Sequence, residues 1–113
     1  MVNVTAELES VFRNAGITLI DEDVQDSVNT YPLVTYAEAE NTDAEVGDNV
    51  GYSRIAYTIN VWARSKAEVI AMSQRVDKVM KSVFFMREGG LEQDEGGLYH
   101  NIYTYRRLVR ESY

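Results

Sequence analysis

The chain has 113 residues, 45% of them hydrophobic and 26% charged, with a formal net charge of −7 and no cysteine. Disulfides, thiolate catalysis and cysteine-ligated metals are thereby excluded, and the length suits one domain spanning residues 1–113. No apolar run approaches the roughly 18 residues of a spanning helix, so no membrane partner is expected, and the N-terminus lacks a basic and then apolar leader, which predicts synthesis in the cytoplasm.

Val4, Leu8, Val11, Phe12 and Ala15 recur at helical spacing before Gly16, predicting a first helix over about 3–15. Residues 17–20 form a short apolar run, followed by an acidic surface connection beginning Asp21-Glu-Asp23. A first strand is predicted over 33–40, with Leu33, Thr35, Ala37 and Ala39 on one side and Val34, Tyr36, Glu38 and Glu40 on the other. Residues 41–51, rich in turn formers and acids, predict a long acidic hairpin loop.

The second strand alternates cleanly, with Ile55, Tyr57, Ile59 and Val61 as the core face and Arg54, Ala56, Thr58, Asn60 and Trp62 opposite. Ser65, with Glu68 three residues on, predicts a capping box for a second helix whose buried stripe is Val69, Met72, Val76, Val79 and Val83. Phe84-Phe-Met86 is either the end of the second helix or a short third strand stopping near Gly89-Gly90, the strand being favoured. Residues 92–97 read as a turn, and the final strand over 98–109 carries Tyr99, Tyr103 and Tyr105 on one face and His100, Ile102, Thr104 and Leu108 on the other. The expected class is α+β: a mostly antiparallel sheet of about four strands with two helices packed on one face, in the order α-β-β-α-β-β. Scattered aromatics on the second sheet face, Trp62 among them, point to cover there by another subunit.

Charge is unevenly placed. Between Arg13 and Arg54 there is no lysine or arginine while nine of the 18 acids fall there, and from Arg64 to Arg87 six basic residues predominate. Such asymmetry argues against broad phosphate-backbone binding and suits head-to-tail association of identical subunits, although two solvated faces of opposite sign would read the same way. Catalytic chemistry finds no support: His100 is the sole histidine, lies inside a predicted strand and lacks a glycine-framed serine. Neither Asp21-Glu-Asp23 nor the set Asp43, Glu45 and Asp48 has calcium-loop spacing, and the paired glycines lack the lysine and helix start of a phosphate cradle. Arg106-Arg107 beside Tyr103 and Tyr105 is only loosely like a surface that stacks single-stranded nucleic acid. No cofactor, metal or catalytic residue is expected.

The segments Tyr31-Pro-Leu-Val-Thr-Tyr-Ala-Glu-Ala-Glu-Asn41, Tyr52-Ser-Arg-Ile-Ala-Tyr-Thr-Ile-Asn-Val-Trp62, Ser65 to Arg87 and Gly97-Leu-Tyr-His-Asn-Ile-Tyr103, taken in order, resemble the tail completion or tail terminator proteins of long-tailed bacteriophages and prophages. The resemblance spans about residues 31–107 and lies in element order and hydrophobic texture. It implies a non-enzymatic virion protein at the head–tail interface. Its subunits would form a ring, usually a hexamer, that caps the tail tube, ends its polymerisation and docks onto the head connector or stopper protein. Its partners would be further copies of itself, the tail tube protein and the connector, with DNA only passing through the lumen. On this expectation Asp43, Glu45 and Asp48 reach toward the lumen or a neighbouring ring, and Arg54, Trp62, Lys66, Lys78, Lys81, Tyr103 and Tyr105 are the residues a neighbour would grip. Subunits are expected to stay monomeric until the tail tip templates the ring. Another connector or adaptor ring, or a small bacterial regulator that binds a partner protein, is the alternative.

Overall fold

The computed structural model describes residues 3–23, 30–45 and 51–110. Its elements run α1 (Thr5–Asn14), β1 (Leu19–Asp21), β2 (Leu33–Glu45), β3 (Gly51–Ala63), α2 (Lys66–Ser82), β4 (Met86–Glu95) and β5 (Leu98–Arg110). The strands form one sheet in the order β1-β2-β3-β5-β4, antiparallel throughout except for the β1–β2 pair. The fold is α+β, as expected. The run read as merely apolar at 17–20 supplies a fifth, parallel strand, Leu19 to Asp21 pairing beside Val34 to Tyr36. Three residues are too few for alternation to show in sequence.

Both helices lie on one sheet face, and the predicted core face of β3 is the one they cover: Ile55, Tyr57, Ile59 and Val61 are buried with Val34 and Tyr36 of β2 and Tyr103 and Tyr105 of β5. From α1 come Val4 (its N-cap), Leu8 and Phe12, and from α2 Val69, Val76, Val79 and Met80. Each large side chain so buried contributes about 1.5–3 kcal/mol. The α2 stripe is rotated slightly from its expected position. Ser73 and Met80 are buried, while Met72 and Val83 pack from the margin. Ser65 caps α2, its hydroxyl accepting from the Glu68 N–H at 3.2 Å.

The two helices stop in the same way. After α1, Gly16 N–H bonds Arg13 C=O and Ile17 N–H bonds Phe12 C=O, with Gly16 at φ +76°. After α2, Phe84 N–H bonds Lys81 C=O and Phe85 N–H bonds Met80 C=O, with Phe84 at φ +69°. Both are Schellman stops, which require a left-handed residue just beyond the helix.

The glycine pairs behave differently from each other. Gly96 and Gly97, at φ +60° and +84°, make the two-residue connection between β4 and β5, the geometry that tight hairpins prefer. Gly89 and Gly90, expected to end a strand, lie inside β4, next to a bulge between Arg87 and Gly89. The strand passes Gly90 close against Tyr103: a Cβ there would meet the ring at 2.7 Å. A bare backbone at this point makes room for the core tyrosine.

Strands β2 and β3 are longer than the alternation suggested, each of 13 residues, so residues 41–45 and 51 belong to the ladder rather than to a loop. Asp48 lies outside the described residues. Paired on one side with β2 and on the other with the end of β5, β3 builds a three-stranded ribbon that runs past β4, whose pairing ends at Met86 opposite Arg106. The molecule is correspondingly long, with extents of 52 × 23 × 23 Å.

Candidate assembly surface

The expected contact residues fall into separate places. Tyr103 and Tyr105 are core residues, not surface anchors: both are buried between the sheet and α2. Tyr105 is fully buried and its phenol donates to Asp77 Oδ1 of α2 at 2.9 Å. The Tyr103 oxygen accepts from Asn101 Nδ2, which also donates to Ser73 Oγ. The same device recurs under α1, where the Tyr36 phenol donates to Glu9 Oε1 at 2.7 Å and the Tyr57 oxygen lies 2.8 Å from Thr5 Oγ1. A tyrosine ring spans the gap between sheet and helix, and its hydroxyl meets a polar group of the overlying layer. Burial, then the adjoining carboxylate, Glu9 or Asp77, pushes the Tyr36 and Tyr105 phenols well up, so both remain donors at any physiological pH. Burial works against ionisation of Asp77, yet hydrogen bonds from Lys81 and Tyr105 outweigh it and hold the carboxyl below its ordinary range.

The basic residues Lys66, Lys78 and Lys81 are exposed on α2, the last paired with Asp77 at 2.7 Å. On the far side of the sheet, Trp62 is half-buried and stacks on His100 with ring centroids 3.4 Å apart, and His100 Nε2 lies 2.8 Å from Asn60 Oδ1. One face of Trp62 is thus covered by its own cross-strand neighbour. Asp43 and Glu45 lie on β2 in the projecting ribbon, and Arg54 is exposed on β3, opposite Thr42 and Leu108.

The sheet face turned away from the helices is organised in rows. Arg106 joins Glu40 of β2 by reaching past Ala56 of β3, and also joins Glu88 at the β4 bulge, so one guanidinium links β2, β4 and β5 across β3. The next row, Ala37, Thr58, Thr104 and Gly89, is made of small residues. Beyond it lie Asn60, Ile102 and Leu91, the last exposed. Met86 and Leu108 are exposed on the same face, which makes it apolar at intervals and shallow.

Two edges of the projecting ribbon are open. Among the described residues no strand pairs with β2 beyond Tyr36 on its outer side, and none pairs with β5 beyond Arg106 on the side away from β3. Strand β2 carries Glu38, Glu40, Asp43 and Glu45, whereas β5 carries Arg106, Arg107 and Arg110; within the chain Arg106 is paired with Glu40 and Glu88, and Arg107 with Glu7 at 3.3 Å. Unpaired edges of opposite sign invite a neighbour of the matching kind.

No family model matches this chain, and a search of curated proteins returns no match. Among solved structures it is similar to a chain described as "Virion of native gene transfer agent (GTA) particle", at 14% sequence identity and a TM-score of 0.48, over 94% of this chain and 86% of that one. Similarity at this level leaves the role of the chain to be argued from its own residues.

Proposed function

We propose that this chain is a non-enzymatic structural subunit of a long-tailed phage or prophage virion. It assembles with further copies into a ring, hexameric by its family resemblance, at the end of the tail tube, where it stops polymerisation and joins the tail to the head connector. The observation that carries the reading is the ribbon of β2, β3 and β5, which runs past β4 with acidic residues on its β2 side and arginines on its β5 side. A head-to-tail contact buries two different patches and closes into a ring when its rotation divides a full turn. Acidic residues between Glu38 and Asp48, five in all with no lysine or arginine among them, would line a lumen without holding the DNA that passes.

Electron micrographs of particles produced without the protein test this reading. Unjoined heads beside overlong tails are expected; tails of normal length joined to heads would overturn it, and joined particles whose heads leak DNA would assign the chain to a connector ring instead.

A further inference from the structure

Phe84 occupies a position that its local structure does not call for. It is the left-handed residue of the α2 stop, at φ +69°, and it is 76% exposed. The equivalent residue after α1 is Gly16. Left-handed backbone is sterically costly for any residue with a Cβ, and glycine is the ordinary solution at this position. Nor is the ring needed to seal the helix end. The apolar contact of a Schellman stop is made by the following residue against the last turn, and here Phe85 is buried together with Met80, just as Ile17 is buried with Phe12 after α1. Phe84 therefore combines backbone strain with the exposure of a large aromatic ring. Within the monomer the Arg107 guanidinium lies 5.9 Å from its ring centre, and the same guanidinium faces Phe85 at 5.8 Å and pairs with Glu7.

The same chain carries a surface suited to receive such a ring. Between α1 and α2 runs a groove of about 460 Å³, floored by Val11, Ile17 and Val79 and walled by exposed Ala15 and Asn14 on one side and Arg75, Lys78 and Ser82 on the other. The floor is apolar, and the rim supplies cations of the type Phe84 already faces at Arg107. Arg75 also bonds Ala15 C=O at 3.0 Å, which ties the two groove walls together. Preformed walls lower the ordering cost of filling the groove.

We infer that Phe84 of one copy of this chain docks into the α1–α2 groove of a second copy. The occupant is a second copy because the projecting ring and a receptor of matching chemistry are both present on one chain. The contact supplies a candidate subunit interface for the ring proposed above, but it does not depend on where in a virion the ring sits.

Sedimentation of the purified full chain, up to millimolar concentration, tests it with two variants. Phe84→Gly relieves the left-handed strain, so its thermal midpoint is expected to equal or exceed that of the parent while self-association weakens by about tenfold or more. Ala15→Lys, on the exposed wall of the groove, is expected to weaken association to the same extent with the fold kept. Mixed in equal amounts, the two variants are expected to associate one to one, since one retains the ring and the other the groove. A parent chain that stays monomeric throughout, a Phe84→Gly chain that associates as tightly as the parent, or a mixture no better than its components would each overturn the contact. Tail tubes still capped by Phe84→Gly would dismiss this interface and leave the ring reading standing.

Discussion

Gly90 and Asp77 show how single positions set the terms of this fold. At Gly90 the missing side chain is a packing requirement, since a methyl group would sit 2.7 Å from the Tyr103 ring, whose hydroxyl is already committed to Asn101. Gly90→Ala is expected to destabilise the protein by about 1–3 kcal/mol in urea unfolding, as overpacking does. Gly89→Ala next door, where a Cβ meets nothing within 4 Å, is expected to be near neutral. Asp77 makes a pH-dependent contribution. Its folded carboxyl titrates below the ordinary value of 3.8, so its stabilisation is fully present above that value and is lost as pH falls through the folded pKa. Asp77→Asn should therefore cost about 1–2 kcal/mol near neutrality, through the weakened bonds to Lys81 and Tyr105, and should flatten the loss of stability below about pH 4. Equal acid sensitivity in parent and variant would count against this assignment.

At the scale of elements, the helices and the β3 core face were legible because each has a strong period: 3.6 in α1 and α2, two in β3 from Ile55 to Val61. Their caps were legible too, from Gly16 and from Ser65 with Glu68. What misled were residues whose meaning depends on a neighbour. Gly89-Gly90 resembles a turn in sequence, yet it is a strand segment thinned to admit Tyr103. The acids and turn formers of 41–45 resemble a loop, yet the ladder continues through them because β3 offers partners as far as Gly51 and β5 supports β3 from the other side. A ribbon places acids more firmly than a loop would, which sharpens the expectation for Asp43 and Glu45, while Asp48 lies outside the described residues. Changing all three to their amides is expected to leave the melting temperature within a few degrees of the parent and to impair head–tail docking or DNA passage; particles that assemble and infect normally would argue against an acidic ring lining.

At the scale of the whole molecule, the separation of charge seen along the chain becomes a separation in space, though not between the partners first suggested by linear order. The acidic stretch forms one edge of the ribbon, with Arg54 of the adjacent β3 opposite Thr42 and the arginines of β5, more than 60 positions later in the chain, one strand further away; the lysines of α2 lie on the helix layer. Of the ten expected contact residues, Tyr103 and Tyr105 proved to be core, because a tyrosine at the right depth buries its ring and still satisfies its hydroxyl on an overlying helix. Phe84 and Arg106 were missed. Three consecutive apolar residues, Phe84-Phe-Met86, cannot all face one core, and that was the available signal for Phe84. Arg106 had none, since its partners Glu40 and Glu88 come from two other strands. The sequence by itself determined the α+β class, the two helices with the stop of α1 and the cap of α2, and the core face of the central strand, all of which follow from local spacing and backbone chemistry. Only the tertiary structure decided which tyrosines are interior, which glycine makes room rather than a turn, and which edges and aromatic rings remain outside, because each of those depends on strand register and on side chains distant in the chain.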